Sequence, residues 1–153
     1  MVIDSPANPR IKSAAALRER RDREQTGLTL VDGGREARRA IEAGVPVETA
    51  FVCRELLTSE DARAAVASLE AARGGRAAAA GDVVVEVGER AFEKLAYGDR
   101  SDGIVLVVRP TALGLDALQL GPDPLVVVTE DGEKPGNLGA ILRSADGAGA
   151  DAV

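Results

Sequence analysis

Leu125-Val126-Val127-Val128-Thr129-Glu130-Asp131-Gly132-Glu133-Lys134-Pro135-Gly136-Asn137-Leu138-Gly139-Ala140-Ile141-Leu142-Arg143-Ser144-Ala145-Asp146 passes from an apolar run, through a polar glycine-containing loop, into a helical pattern. The continuous apolar run predicts a strand buried on both faces, as in parallel sheets. A loop that follows such a strand and enters a helix is where α/β folds bind ligands. The loop lacks Gly-Lys-Ser/Thr, so it is not a phosphate loop of that type, and it lacks Gly-x-Gly-x-x-Gly, so it is not a dinucleotide fingerprint. Leu138, Ile141, Leu142 and Ala145 share one helical face, predicted to pack on the sheet. Arg143 lies off that face among Gly139, Ala140, Ser144, Asp146 and Gly147, so a long guanidinium rises from small neighbours. The helix start at Gly136-Asn137 offers free N–H groups to an anion. A plainer account makes Arg143 an exposed partner of Asp146 and Asn137 an ordinary cap. The residues alone leave both open.

Working back from this stretch, Pro110 to Asp123 carries Pro110, Gly114, Gly121 and Pro122 with little apolar period, and reads as an interdomain linker. Before it, strands and helices alternate. A helix is expected from Asn8-Pro9 to about Glu24, stopped by Gly27. Leu28–Val31 reads as a strand, Asp32-Gly33-Gly34 as a turn, and Arg35–Ala43 as a helix stopped by Gly44. Ala50–Cys53 is a second strand, Ser59 caps a helix through Ala72, and Ala77–Ala80 is ambiguous between states. Val83–Val87 is a third strand, Glu89–Ala96 a short helix, and Ile104–Val108 a fourth strand. Residues 1–109 are therefore expected to form one α/β sandwich, 110–123 a linker, and 124–153 the beginning of a second α/β domain. Asp151-Ala152-Val153 reads as the start of a further strand, and a lone strand–helix unit cannot close a core of its own.

The bulk numbers exclude several classes. At 45% hydrophobic and 29% charged residues the composition is that of a globular protein, with a core of Val, Leu, Ile and Ala, since Phe51, Phe92 and Tyr97 are the only aromatics. There is no apolar run of membrane-spanning length and no signal-peptide pattern at the start. One cysteine, Cys53, forbids an internal disulfide and fits a reducing cytoplasm, where it reads as a small buried hydrophobe at a strand end. The absence of histidine and of a cysteine cluster implies no metal site. The net charge of −6 is unevenly spread: residues 1–40 hold 9 Lys and Arg against 6 Asp and Glu, a net of +3. A basic front on an acidic body contacts phosphates locally. The alternative is that Arg18-Glu19-Arg20-Arg21-Asp22-Arg23-Glu24 is a solvated helix face, the better reading on charge alone.

Pro135-x-Asn137-x-Gly139-x-x-x-Arg143-x-Ala145 resembles the first signature motif of the SpoU/TrmH methyltransferases, a branch of the SPOUT superfamily. The N-terminal part agrees independently. Ser5-Pro6-x-Asn8-Pro9-x-Ile11-Lys12 resembles the start of that family's rRNA-modifying members. So does Leu30-Val31-Asp32-Gly33-x-Arg35-Glu36-x-x-x-Ala40-x-x-Ala43-Gly44, although the family more often has Glu where Asp32 stands. Asp102-Gly103-Ile104-x-x-Val107-Val108 resembles the close of its substrate-binding domain, which is similar to an RNA-binding ribosomal protein.

The resemblance implies an S-adenosylmethionine-dependent ribose 2′-O-methyltransferase acting on RNA, rRNA in preference to tRNA, and a homodimer for the full-length protein. In that family the second and third motifs, with the trefoil knot and most of the donor pocket, follow this point and none of them is present here, so the chain by itself is expected to be inactive, whether it is a fragment, a truncated gene product or a chain whose sheet a partner completes. Arg143 and Asn137 are the implied catalytic residues, Arg143 as a clamp on phosphate and on developing 2′-oxyanion charge, because a guanidinium does not serve as a base. Glu130 is a further candidate, or only a loop-fixing acid. Arg10, Lys12 and Arg35 are the candidate RNA contacts, Arg35 for its place beside the Gly33-Gly34 turn. Two other readings stand beside this one: a non-catalytic RNA-binding module, and a nucleotide-binding α/β fragment, which the missing glycine motifs disfavour.

Overall fold

The structure is a computed structural model that describes residues 2–73, 83–97, 102–110, 114–130 and 135–153. It divides into two compact units, Met1–Thr111 and Ala112–Val153. The stretch Ala77–Ala80 lies outside the described residues. No helix among the described residues is long and apolar enough to cross a membrane.

The first unit opens with α1 (Pro9–Ala16), where Asn8 accepts the Arg10 N–H at 2.9 Å and Pro9 takes the first helical position. The single helix expected to Glu24 is two helices, α1 and α2 (Arg20–Thr26). The cause is local. The N–H groups of Leu17, Arg18 and Glu19 bond carbonyls three residues back, and Glu19 then turns extended. Arg23 Nη1 donates to the Leu17 and Arg18 carbonyls at 3.0 and 2.5 Å, so a side chain of the second helix caps the orphan carbonyls of the first. Gly27, left-handed at φ 66°, ends α2 as its sequence predicts.

There follow β1 (Thr29–Asp32), α3 (Gly34–Glu42), β2 (Val47–Val52), a 3₁₀ turn at Arg54–Leu56, α4 (Glu60–Arg73), β3 (Val84–Glu86), α5 (Glu89–Phe92) and β4 (Ile104–Val108). Ser59 Oγ accepts the Ala62 N–H at 3.1 Å and so caps α4. The helix expected to reach Ala96 stops at Phe92, because the chain tightens there, with the Leu95 N–H on the Phe92 carbonyl, and drops Leu95 fully into the core.

The sheet runs β1-β4-β2-β3. Strand β4 is antiparallel to both neighbours, while β2 and β3 are parallel and joined through α4, as a parallel pair requires. Central β4 is buried at every residue, and its side chains alternate between two cores. Val105 and Val107 join Ile11, Leu17, Phe51, Phe92 and Leu95 on the face carrying α1 and α5. Ile104, Leu106 and Val108 join Ala37, Val52 and Val66 on the face carrying α3 and α4. Gly34 permits the crossing of α3 over α4, since a Cβ there would meet the Ala62 nitrogen at 2.6 Å.

Among its described residues the second unit holds a 3₁₀ turn at Leu115–Ala117 and one helix, α6 (Pro135–Gly147). The strand expected at Leu125–Val128 is reduced to one parallel bridge, Val126 with Ala152, flanked by Val127 N–H to the Ala152 carbonyl (2.9 Å) and Asp151 N–H to the Leu125 carbonyl (2.8 Å). Burial on both faces is not realised: Leu125 is 49% and Val128 88% exposed. The expected packed face of α6 is likewise covered at Ala145 but open at Leu138 and Leu142. One bridge and one helix offer too little apolar surface to cover either.

Candidate functional site

In the second unit the Val126 bridge precedes α6 in the chain, and after α6 the chain returns through Gly149 (φ 73°) to pair beside its own start. This is a β–α–β beginning with parallel ends, and Glu130 lies between the Val126 bridge and α6. Asn137 is not the cap of α6. It is the third helical residue, because Pro135, with φ preset and no N–H to satisfy, takes the first helical position. Arg143 is exposed, and among the described residues it forms no hydrogen bond or ion pair; the pairing with Asp146 is not formed. Its guanidinium lies back over Gly139, where a Cβ would stand 3.3 Å from Nη1. The bare glycine thus leaves room for an uncompensated cation one helical turn from the start of α6.

In the first unit the three candidate RNA contacts are not brought together. Arg10 and Lys12 are exposed on α1, without side-chain partners among the described residues. Arg35 sits on α3, in the layer on the opposite face of the sheet. Its guanidinium pairs with Glu36 at 2.7 Å, which holds the Glu36 carboxyl below its ordinary range. The first N–H of α3, on Gly34, donates to Asp102 Oδ2 at 2.9 Å. The anion position at that helix start is therefore filled by the protein's own carboxylate.

A constellation that the sequence did not signal lies where α1, β1 and the turn after α5 meet. Arg18 donates to the Ala96 carbonyl and places its guanidinium 4.6 Å from the centroid of the Tyr97 ring. The Tyr97 N–H donates to the Asp32 carboxylate at the end of β1. Burial pushes the Asp32 carboxyl up from its usual range, against the opposing effect of that N–H. Cys53 is fully buried just after β2, as its sequence position suggests; burial pushes its thiol up to about 11, and its Sγ lies 3.3 Å from Glu55 Oε2.

The family described as the MRM3-like substrate binding domain matches residues 8–106. The chain belongs to that family. The MRM3-like domain accounts for the sheet and its two helical layers, and α6 lies outside it. Over 136 residues the chain is 34% identical to the 23S rRNA (uridine(2479)-2′-O)-methyltransferase of Streptomyces viridochromogenes, covering 89% of this chain and 44% of that protein. The solved structure of an RNA 2′-O ribose methyltransferase superposes with a TM-score of 0.75 at 38% identity, covering 98% of this chain and 53% of the other. The SpoU methyltransferase AviRb from Streptomyces viridochromogenes, in complex with the cofactor AdoMet, gives 0.69 at 30% identity, covering 94% and 51%. The relation to SpoU-type RNA methyltransferases expected from the motifs is thereby shown, as is a mixed α/β fold of that kind. The MRM3-like chain spans about half the length of these relatives.

Proposed function

We propose that the protein to which this chain belongs methylates ribose 2′-hydroxyls of RNA, rRNA in the first instance. Residues 1–109 hold the RNA as a sandwich domain similar to an RNA-binding ribosomal protein. Residues 124–153 supply the first strand–loop–helix of a SPOUT-type catalytic domain. The observation that carries the reading is the unpaired Arg143 laid over Gly139 on the helix that follows the parallel bridge. The methyl donor, S-adenosylmethionine, supplies an electrophilic methyl group on a sulfonium. The described residues of this unit do not by themselves enclose it, since Val128, Leu138 and Leu142 stand open to solvent. The cytoplasm is the proposed compartment, in keeping with the buried free thiol of Cys53.

Arg143 stays protonated throughout. Its planar fork holds the phosphate beside the reacting ribose and directs N–H donors at the 2′-oxygen as charge develops there. Such a donor stabilises the transition state more than the bound RNA. Asn137, two residues into the first turn, orients the same backbone, and Glu130 fixes the loop. In the full-length protein, Arg143→Ala lowers single-turnover methylation by about 100-fold or more, with RNA affinity nearly unchanged, and Arg143→Lys rescues poorly. Near wild-type turnover in the alanine variant, or full rescue by lysine, overturns the clamp. A second reading, that the chain by itself acts as a non-catalytic RNA-binding module, is favoured by the uncovered face of α6.

A further inference from the structure

The cations of the first unit are not equally available. On the α3 and α4 side of the sheet Arg35, Arg38 and Arg54 are held in carboxylate pairs, by Glu36, by Glu42 and Asp61, and by Glu70 and Glu86, and Arg63 donates to the Leu57 and Thr58 carbonyls, while Arg39 has no such pair among the described residues. On the α1 and α5 side, exposed Arg10, Lys12, Arg90 and Lys94 have no such partner among the described residues. At one end of this second layer stands Tyr97. Aromatic side chains are scarce here, and Phe51 and Phe92 are buried to 2% and 0%, whereas Tyr97 is 54% exposed.

The Tyr97 ring is nevertheless not loose. Its backbone N–H is tied to Asp32, the carbonyl of the preceding Ala96 is tied to Arg18, and the Arg18 guanidinium backs the ring at 4.6 Å. A cation against one face immobilises the ring and leaves the rest of its π surface to solvent. An immobilised aromatic loses little freedom when something flat is laid on it. Aromatic rings that accept an unstacked base in this way, beside cations that follow the phosphates, are the general device of single-strand recognition.

We propose that Tyr97, braced by Arg18, is a stacking platform for an unpaired RNA base, with the free cations of the α1 and α5 layer taking the flanking phosphates. This rests on the RNA-binding reading above and names the face and the residue through which it acts. Unpaired RNA is selected over duplex, because a paired base keeps both of its faces within its own stack.

The chain itself provides the reporter, since Tyr97 is its one tyrosine and tryptophan is absent. The 153-residue protein is titrated with a mixed-sequence single-stranded RNA of ~12 nucleotides and with the same sequence as a perfect duplex. Tyr97 emission is read directly, and affinity is read from a dye on the RNA. The single strand quenches Tyr97 and the duplex does not. Tyr97→Ala weakens single-strand binding by about tenfold, Tyr97→Phe keeps it, and neither changes the slope of affinity against salt. Arg10→Glu with Lys12→Glu flattens that slope. Saturating single-strand binding without a change in Tyr97 emission, or equal affinity in Tyr97→Ala, overturns the platform and leaves RNA binding standing. If the unsubstituted chain binds neither RNA, the RNA-binding reading fails and the platform with it.

Discussion

Asp32 shows how one side chain serves two ends. It ends β1 and fastens the Tyr97 backbone, at the expense of a carboxylate drawn half out of water. Because its folded pKa is raised above the unfolded value of about 4, its contribution to stability is fully present below that value and is lost as pH rises through the folded pKa. Asp32→Asn keeps an acceptor for the Tyr97 N–H and removes the charge. Relative to the unsubstituted chain it should gain stability as pH rises from acid to neutral, by a few tenths of a kcal/mol after solvent screening. Urea midpoints of both proteins at acid and neutral pH give the answer, and a gap that does not widen with pH refutes it. Cys53 is a simpler case. With its Sγ fully covered and its thiol held protonated up to about 11, alkylation should proceed only through unfolding. Labelling of the native chain should be slower than in urea by roughly a thousandfold or more, and native labelling at the rate of a free thiol would contradict the burial.

Among the elements, the link between the 3₁₀ turn at Arg54–Leu56 and the start of β4 leaves no room for a side chain. Gly103 has φ 73°, and a Cβ on it would meet the Leu56 carbonyl carbon at 2.6 Å and the Cys53 oxygen and Leu57 nitrogen at 2.7 Å. All three are backbone atoms and cannot swing away. Gly103→Ala should lower the unfolding free energy by about 2–4 kcal/mol, combining the left-handed penalty with overpacking. Chemical denaturation reads this, and a loss under ~1 kcal/mol would show that the turn yields. The sequence displayed this glycine within Asp102-Gly103-Ile104 but gave no hint of what it touches, because the contact spans residues far apart in the chain. The same limit governs the rest. Strand β4 and the caps at Asn8 and Ser59 were legible, since local pattern and side-chain chemistry decide them. The break after Ala16 was not, as it hangs on Arg23 reaching back to two carbonyls. Nor was the separation of Arg35 from Arg10 and Lys12, which only the sheet order fixes. The small neighbours of Arg143 were readable in the sequence, whereas the plainer account that made Asn137 the helix cap fails, because Pro135 takes the first helical position.

Among the described residues β4 sits in the middle of its sheet but is the last of that sheet's four strands in chain order, at Ile104–Val108, and it is the one strand paired with β1. Synthesis from the N-terminus therefore delivers the keystone last. Until β4 has left the ribosome, β1 has no neighbour, and β2 with β3 make a lone parallel pair, short of what stands alone in water. Both hydrophobic cores lose one wall at once, because alternate residues of β4 close each of them. The nascent domain should wait as an open, chaperone-accessible chain and then fold in one late step. A fragment ending at Asp102 should show little cooperative unfolding by circular dichroism, whereas one ending at Ala112 should melt as a unit. A cooperative transition in the shorter fragment would mean that the two halves of the sheet do not need their keystone.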